Sequence, residues 1–150
     1  MSAHWSLEFV GAAYAADGEG PGAFNCWAHF RHVERRRFNR EIPPLPMPAD
    51  LLGVVKLFRD RSDSFGWVRI EKPRKPMDGD AVLMSHRDRP HHIGIYVASV
   101  PGEAVLHCTE GVGSVLSSMF HLEVANWNII GIYHPIEEAS SVLLADSRST

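Results

Sequence analysis

Apolar residues recur along the chain at two spacings, and the change from one to the other divides it. In the first third they fall at helical intervals. Trp5, Phe9 and Ala12-Ala13 predict a first helix over Trp5–Tyr14; Cys26, Phe30, Val33 and Phe38 predict a second from Cys26 to about Arg40; Leu51, Val54-Val55 and Phe58 predict a third over Asp50–Asp60. From Trp67 onward short strand-like runs take over. Trp67–Glu71, Ala81–Met84, Ile93–Val97, Ala104–His107, Gly113–Leu116 and Ile129–Tyr133 read as strands, parted by turn chemistry at Asp78-Gly79-Asp80, Arg87–Pro90 and Pro101-Gly102. Ser117–Val124 reads as a short helix crossing back before the last strand. Helices first and strands after predict an α+β fold with an antiparallel sheet of about five or six strands.

The breaks between elements add detail. Asp17-Gly18-Glu19-Gly20-Pro21-Gly22 cannot continue a helix, and Asn25 is a favourable cap for one that begins at Cys26. Ile42-Pro43-Pro44-Leu45-Pro46-Met47-Pro48 stops that helix and reads as an extended surface segment. It is not read as a domain linker, because neither side is large enough for a core of its own. Residues 1–150 are therefore expected to form one domain, with a tail from about residue 137 poorly ordered.

Composition narrows the function classes. At 150 residues, 45% of them hydrophobic, the chain can bury a proper core without staples. Two cysteines are too few for a disulfide framework and fit a thiol kept for chemistry. A net charge of -3 gives no global reason to bind nucleic acid, and the Arg31, Arg35, Arg36, Arg37 and Arg40 cluster reads as a solvated helix face. No apolar run approaches membrane-spanning length, so no membrane partner is expected. The N-terminus has neither a basic region nor a long apolar stretch and predicts no secretory signal.

The candidate chemistry begins with Cys26. A cysteine in the first turn of a helix feels unsatisfied N–H groups and the positive end of the dipole, both of which favour thiolate; the structural alternative is a small buried hydrophobe. In His91-His92-Ile93-Gly94-Ile95-Tyr96-Val97, period-2 alternation puts His91 with the isoleucines and His92 with Gly94 and Tyr96. Gly94 leaves room on its face, and the Cys26 helix is the expected occupant, within reach of His92. The bland alternative is a polar turn after Pro90. Alternation also sends His107 and Cys108 to opposite faces, so His107 can orient His92 only if Cys108 points away. His86, His91, His92, His107, Cys108 and Glu110 supply enough ligands for zinc, but their spacing fits no tight motif. Neither a metal nor a cofactor is expected.

Four features together resemble the NlpC family of cell-wall cysteine peptidases. Gly11-Ala12-Ala13-Tyr14 is similar to the family's Gly-x-x-Tyr, and Phe24-Asn25-Cys26-Trp27-Ala28 to its Asp-Cys-x-Gly helix start. Asp78-Gly79-Asp80-Ala81-Val82 with His92-Ile93-Gly94-Ile95-Tyr96 resembles its Gly-Asp-x-Val and His-x-Gly-Ile-Tyr strands, and Val105-Leu106-His107 the strand carrying its third residue. Trp27, Arg31-His32-Val33 and Arg40-Glu41-Ile42-Pro43 are closer to the phage-tail branch. Asn25 in place of aspartate, Ala28 in place of the usual glycine or small residue, and Ala16-Asp17 in place of an aromatic-glycine pair depart from the pattern.

The resemblance implies a papain-like fold, with the nucleophile helix packed on the sheet, and a catalytic set of Cys26, His92 and His107. It implies Tyr14 and Trp27 as lining of the substrate cleft, the alternative for Tyr14 being packing under the Cys26 helix; Arg87 and Arg89, next to the proposed base, are expected either to bind stem carboxylates or to form a solvated turn. The implied activity is endopeptidase cleavage of peptidoglycan stem peptides at the γ-D-glutamyl bond to the diamino acid. An amidase acting at the sugar-peptide junction, or an inactive tail component, is the alternative. The phage-tail branch would deliver the protein within a virion or tail-like assembly, with tail-tip proteins as partners, and needs no signal peptide.

Overall fold

The computed structural model describes residues 4–42, 66–87 and 89–136, with the side chains of Arg89 and Pro90 outside the description. The expected Asp50–Asp60 helix, nearly all of the proline-rich segment and the tail from 137 lie outside the described residues. A 3-10 helix, Trp5–Phe9, opens the fold. It is followed by β1 (Ala13–Tyr14), β2 (Ala23–Phe24), α1 (Cys26–Phe38), β3 (Trp67–Arg69), β4 (Ala81–His86), β5 (Arg89–Val97), β6 (Ala104–Thr109), β7 (Gly113–Ser118), α2 (Met119–Val124) and β8 (Asn128–Pro135). The last six strands form one sheet in the order β3-β8-β4-β5-β6-β7, with every neighbouring pair antiparallel. The fold is α+β, as the periodicities predict.

The expected first helix is corrected: only Trp5–Phe9 is helical. Gly11 turns with φ 99°, and the next residues pair instead with β7, Gly11 N–H donating to Ser114 O at 2.9 Å and Ser114 N–H to Ala12 O at 2.9 Å. Backbone pairing to an otherwise open strand edge outweighs the weak propensity of a short helix. Tyr14 consequently sits on β1, paired in parallel with Phe24 just ahead of α1. α1 itself starts where expected. The Asn25 side chain accepts from Ala28 N–H at 2.8 Å, and Asn39 in the left-handed region ends the helix shortly before the predicted Arg40. β5 also begins earlier than predicted, at Arg89, so the expected turn at Arg87–Pro90 is shorter.

The sheet is covered on both faces. On one, Trp27, Phe30 and Val33 of α1 pack with Leu83, Ile93, Ile95, Leu106 and Tyr133 in the main core. On the other, Leu122 of α2 and the partly buried Trp127 pack with Val82, Met84, Tyr96 and Val105. Phe30 and Val33 bury against the isoleucine face, and that burial docks α1 there. The buried Glu34 ties the far end of α1 to the sheet through Arg40, whose Nη1 donates to Glu34 Oε2 at 2.8 Å and to Gly79 O at 3.1 Å. Among the described residues no helix is long and apolar enough to cross a membrane.

Candidate active site

Two strands bring His92 and His107 together. His92 Nε2 lies 2.8 Å from His107 Nδ1, and His107 Nε2 lies 3.0 Å from the Ser117 hydroxyl on β7. The alternation explains this, because β6 residue Val105 pairs with both Tyr96 and Ser117, so His92, Gly94, Tyr96, His107 and Ser117 share one face. A side chain at position 94 would put its Cβ 3.0 Å from His107 Cβ and 2.6 Å from Val105 Cγ1. Gly94 therefore makes room for β6, which corrects the expectation that it makes room for the Cys26 helix. Trp127 closes the face over the imidazoles: its ring stacks on His92 at 4.8 Å and meets His107 edge-on at 5.9 Å. Nothing in the periodicity points to Trp127 or Ser117, since both come to the dyad through long-range pairing.

Burial sets the protonation of His107. Burial first, and then the nearby His29 of α1, push the His107 imidazole down to about 4. A neutral imidazole has one donor and one acceptor nitrogen, so the two bonds of His107 run in one direction along the chain. When His92 carries two N–H groups, only one direction remains. His92 Nε2–H then donates to His107 Nδ1, and His107 Nε2–H donates to Ser117.

Cys26 begins α1, half-buried against the main core. The dyad and the apolar stripe of α1 thus occupy opposite faces of the sheet, contrary to the expectation that Cys26 and His92 share the Gly94 face. The sheet is incomplete at this point. The β5–β6 ladder spans only Val97↔Ala104 to Ile95↔Leu106, although β5 starts at Arg89 and β6 runs on to Thr109. The α1 N-terminus sits at this unladdered end, where the Cys108 thiol donates to Phe24 O at 3.4 Å. Cys108 points to the α1 side and His107 away from it, as alternation requires. Cys108 is fully buried, and burial, with Cys26 second, pushes its thiol up to about 11. It is built as an inert core residue.

The remaining expected residues separate. Tyr14 is half-buried and packs against Phe24, Ala28 and Cys108 beside the start of α1. Trp27 is corrected from cleft lining to core: it is 5% exposed, its ring 5.5 Å from Phe30. A residue one position past a helix start turns about 100° from it, and here that rotation carries Trp27 inward. Arg87 is exposed at the end of β4, and the Arg89 side chain lies outside the described residues. His91 shares the isoleucine face with α1, and its Nδ1 is buried without a hydrogen-bond partner among the described residues. No group of three or more His, Cys, Asp or Glu side chains able to hold a metal occurs among the described residues. No protein-family model matches the chain, and comparison with curated proteins gives no match.

The buried histidines also set an acid limit. His29 is 1% exposed, and burial pushes it down to about 4, with the Phe9 carbonyl opposing and His32 adding to the shift. Both His29 and His107 are lowered in the fold from an ordinary 6.5. Between those limits the unfolded chain binds protons that the folded chain refuses, so stability is complete above about pH 6.5 and is lost as pH falls toward about 4. The urea midpoint should drop steeply over that window, by the equivalent of on the order of 1–2 kcal/mol per histidine by pH 5. His29→Gln should flatten the slope; parallel slopes for the two proteins would show that His29 is not buried neutral.

Proposed function

We propose that the chain is a papain-like thiol hydrolase that cleaves peptidoglycan stem peptides, with Cys26 as nucleophile, His92 as base and acid, and His107 orienting His92. The observation that supports it is the buried His92–His107 pair, held on β5 and β6, whose shared ladder is open at the end where the helix of Cys26 begins. A cysteine at a helix start and an oriented imidazole are the two groups that thiol acyl chemistry requires.

In this reading the Cys26 thiol passes its proton to His92 Nδ1 through the gap between the strands. The thiolate adds to the scissile carbonyl carbon, and the carbonyl oxygen takes the negative charge. The first turn of a helix does not use its own N–H groups in the ladder, and the Cys26 amide is the proposed oxyanion donor. Collapse breaks the carbon–nitrogen bond, His92 gives its proton to the leaving amine, and a thioester remains on Cys26. Water, deprotonated by His92, attacks that thioester and restores the thiol. Tyr14 lines the cleft on the β1 side, and Arg87 and Arg89 bind stem carboxylates. Delivery in a tail-like assembly belongs to the same proposal.

The bond is identified by digesting purified peptidoglycan and weighing the fragments. The endopeptidase reading expects stem peptides cut after γ-D-glutamate. Release of whole stems from the sugar would make the protein an amidase, and an undigested wall would make it a non-enzymatic component.

A further inference from the structure

The proposed reaction uses His107 Nδ1 and leaves its other nitrogen unassigned. That nitrogen is not idle. It lies 3.0 Å from Ser117 Oγ, on the first residue pair of β6 and β7 that places a hydroxyl on the dyad's face. We propose that Ser117 is a positioning residue: by accepting a hydrogen bond from His107 Nε2–H it holds His107 in the tautomer whose Nδ1 accepts from His92. The inference rests on the thiol-hydrolase reading for its effect on rate, but its structural content stands apart from it.

The chain of three groups has two self-consistent proton arrangements. In one, His92 Nε2–H donates to His107 and His107 Nε2–H donates to Ser117. In the other, the Ser117 hydroxyl donates to His107 Nε2, His107 Nδ1–H donates to His92 Nε2, and the His92 proton moves to Nδ1. The second arrangement occupies the nitrogen that must receive the thiol proton, so it cannot serve as base. A doubly protonated His92 permits the first alone, since His92 Nε2 then needs an acceptor. His107 is 2% exposed, and leaving its Nε2–H without a partner there costs the full desolvation of that group. Serine is therefore needed as acceptor at the moment the ion pair forms. Among the described residues, the titratable groups that act on His107 are His92, bonded to it from β5, and His29 of α1, which acts at longer range; Ser117 on β7 and Trp127 ahead of β8, which also meet it, do not titrate in the working range. Neither of the two histidines can replace Ser117, because one already occupies Nδ1 and the other acts at longer range.

The test pairs imidazole nitrogen NMR with a pH–rate profile on purified peptidoglycan, for wild type, Ser117→Ala and Ser117→Thr. In the wild type, His107 should carry its proton on Nε2 while His92 is charged. Ser117→Ala should mix the His107 tautomers, lower kcat about three- to tenfold with KM little changed, and move the alkaline limb to lower pH, because the charged His92 has lost part of its acceptor. Ser117→Thr keeps the hydroxyl and should restore both readouts. A wild-type His107 protonated on Nδ1 overturns the proposal, as does a Ser117→Ala protein with unchanged tautomer and pH profile. If Ser117→Ala does not fold, the wild-type spectrum and the threonine variant still decide it. A wild type that hydrolyses nothing refutes the enzyme reading, and the NMR arm then judges Ser117 alone.

Discussion

Replacing Cys26 with alanine should reduce hydrolysis to background, a fall of roughly 10⁵-fold or more, while the protein keeps its thermal midpoint. The effect is large because the thiol supplies the bonded atom of the intermediate. Cys108 is fully buried, on the opposite side of β6 from His107, with its thiol donated to the Phe24 carbonyl. Cys108→Ala should accordingly retain most activity, within a factor of a few, and lose some stability from the small cavity. Stability is expected to survive at position 26, because the helix start is held by the Asn25 cap, and alanine is favourable in a first turn. An active Cys26→Ala protein, or inactivation that tracks alkylation of Cys108, would remove Cys26 from the chemistry.

The second large effect separates two adjacent histidines. His92→Ala should cost about 10²–10⁴-fold in kcat, the usual loss on removing a general base. His91→Ala should cost far less, and His107→Ala should fall between. The comparison is sharp because the two side chains leave β5 on opposite faces. His92 bonds His107 and stacks on Trp127, whereas His91 faces the α1 side, its buried Nδ1 without a hydrogen-bond partner among the described residues. If the thiol met a base without passing between the strands, His91 would be the one on its own face. A larger loss for His91→Ala would therefore reassign the base and leave His92–His107 as a structural pair. Steady-state rates on one stem-peptide substrate give the ranking directly.

How far the sequence carries this reading depends on whether local spacing or long-range packing decides each feature. The start of α1 at Cys26 is legible because Asn25 caps it and the preceding glycines cannot be helical, both local effects. The split of His107 from Cys108 is legible for a similar reason, since a strand's period of two leaves no choice. The six strands follow from the β-branched runs. The face on which α1 docks is not legible in this way. Gly94 suggests an open face, but Phe30 and Val33 bury against Ile93, Ile95 and Leu106 on the opposite one. The same preference draws Trp27 into the core. The first helix fails because Gly11 and Ala12 find hydrogen bonds on β7, a strand about a hundred residues later. Ser117 and Trp127 are invisible for the same reason. They join the dyad through the β6–β7 register and through the turn from α2 into β8, neither of which leaves a periodic trace.

The unladdered end of β5 and β6 carries the proposal, since it is where a thiol on one face of the sheet must meet a dyad on the other. Alkylation of Cys26 at about pH 6, well below the ordinary thiol pKa of about 8.5, measures that meeting without requiring any knowledge of the substrate. Mass spectrometry of the tryptic peptides assigns the label to Cys26 or Cys108, and the rate is compared between wild type and His92→Ala. Wild-type Cys26 should label rapidly, and at least about tenfold more slowly in His92→Ala, with Cys108 unlabelled in both. Equal Cys26 rates in the two proteins would mean that His92 does not hold the thiolate, and would contradict the proposed site.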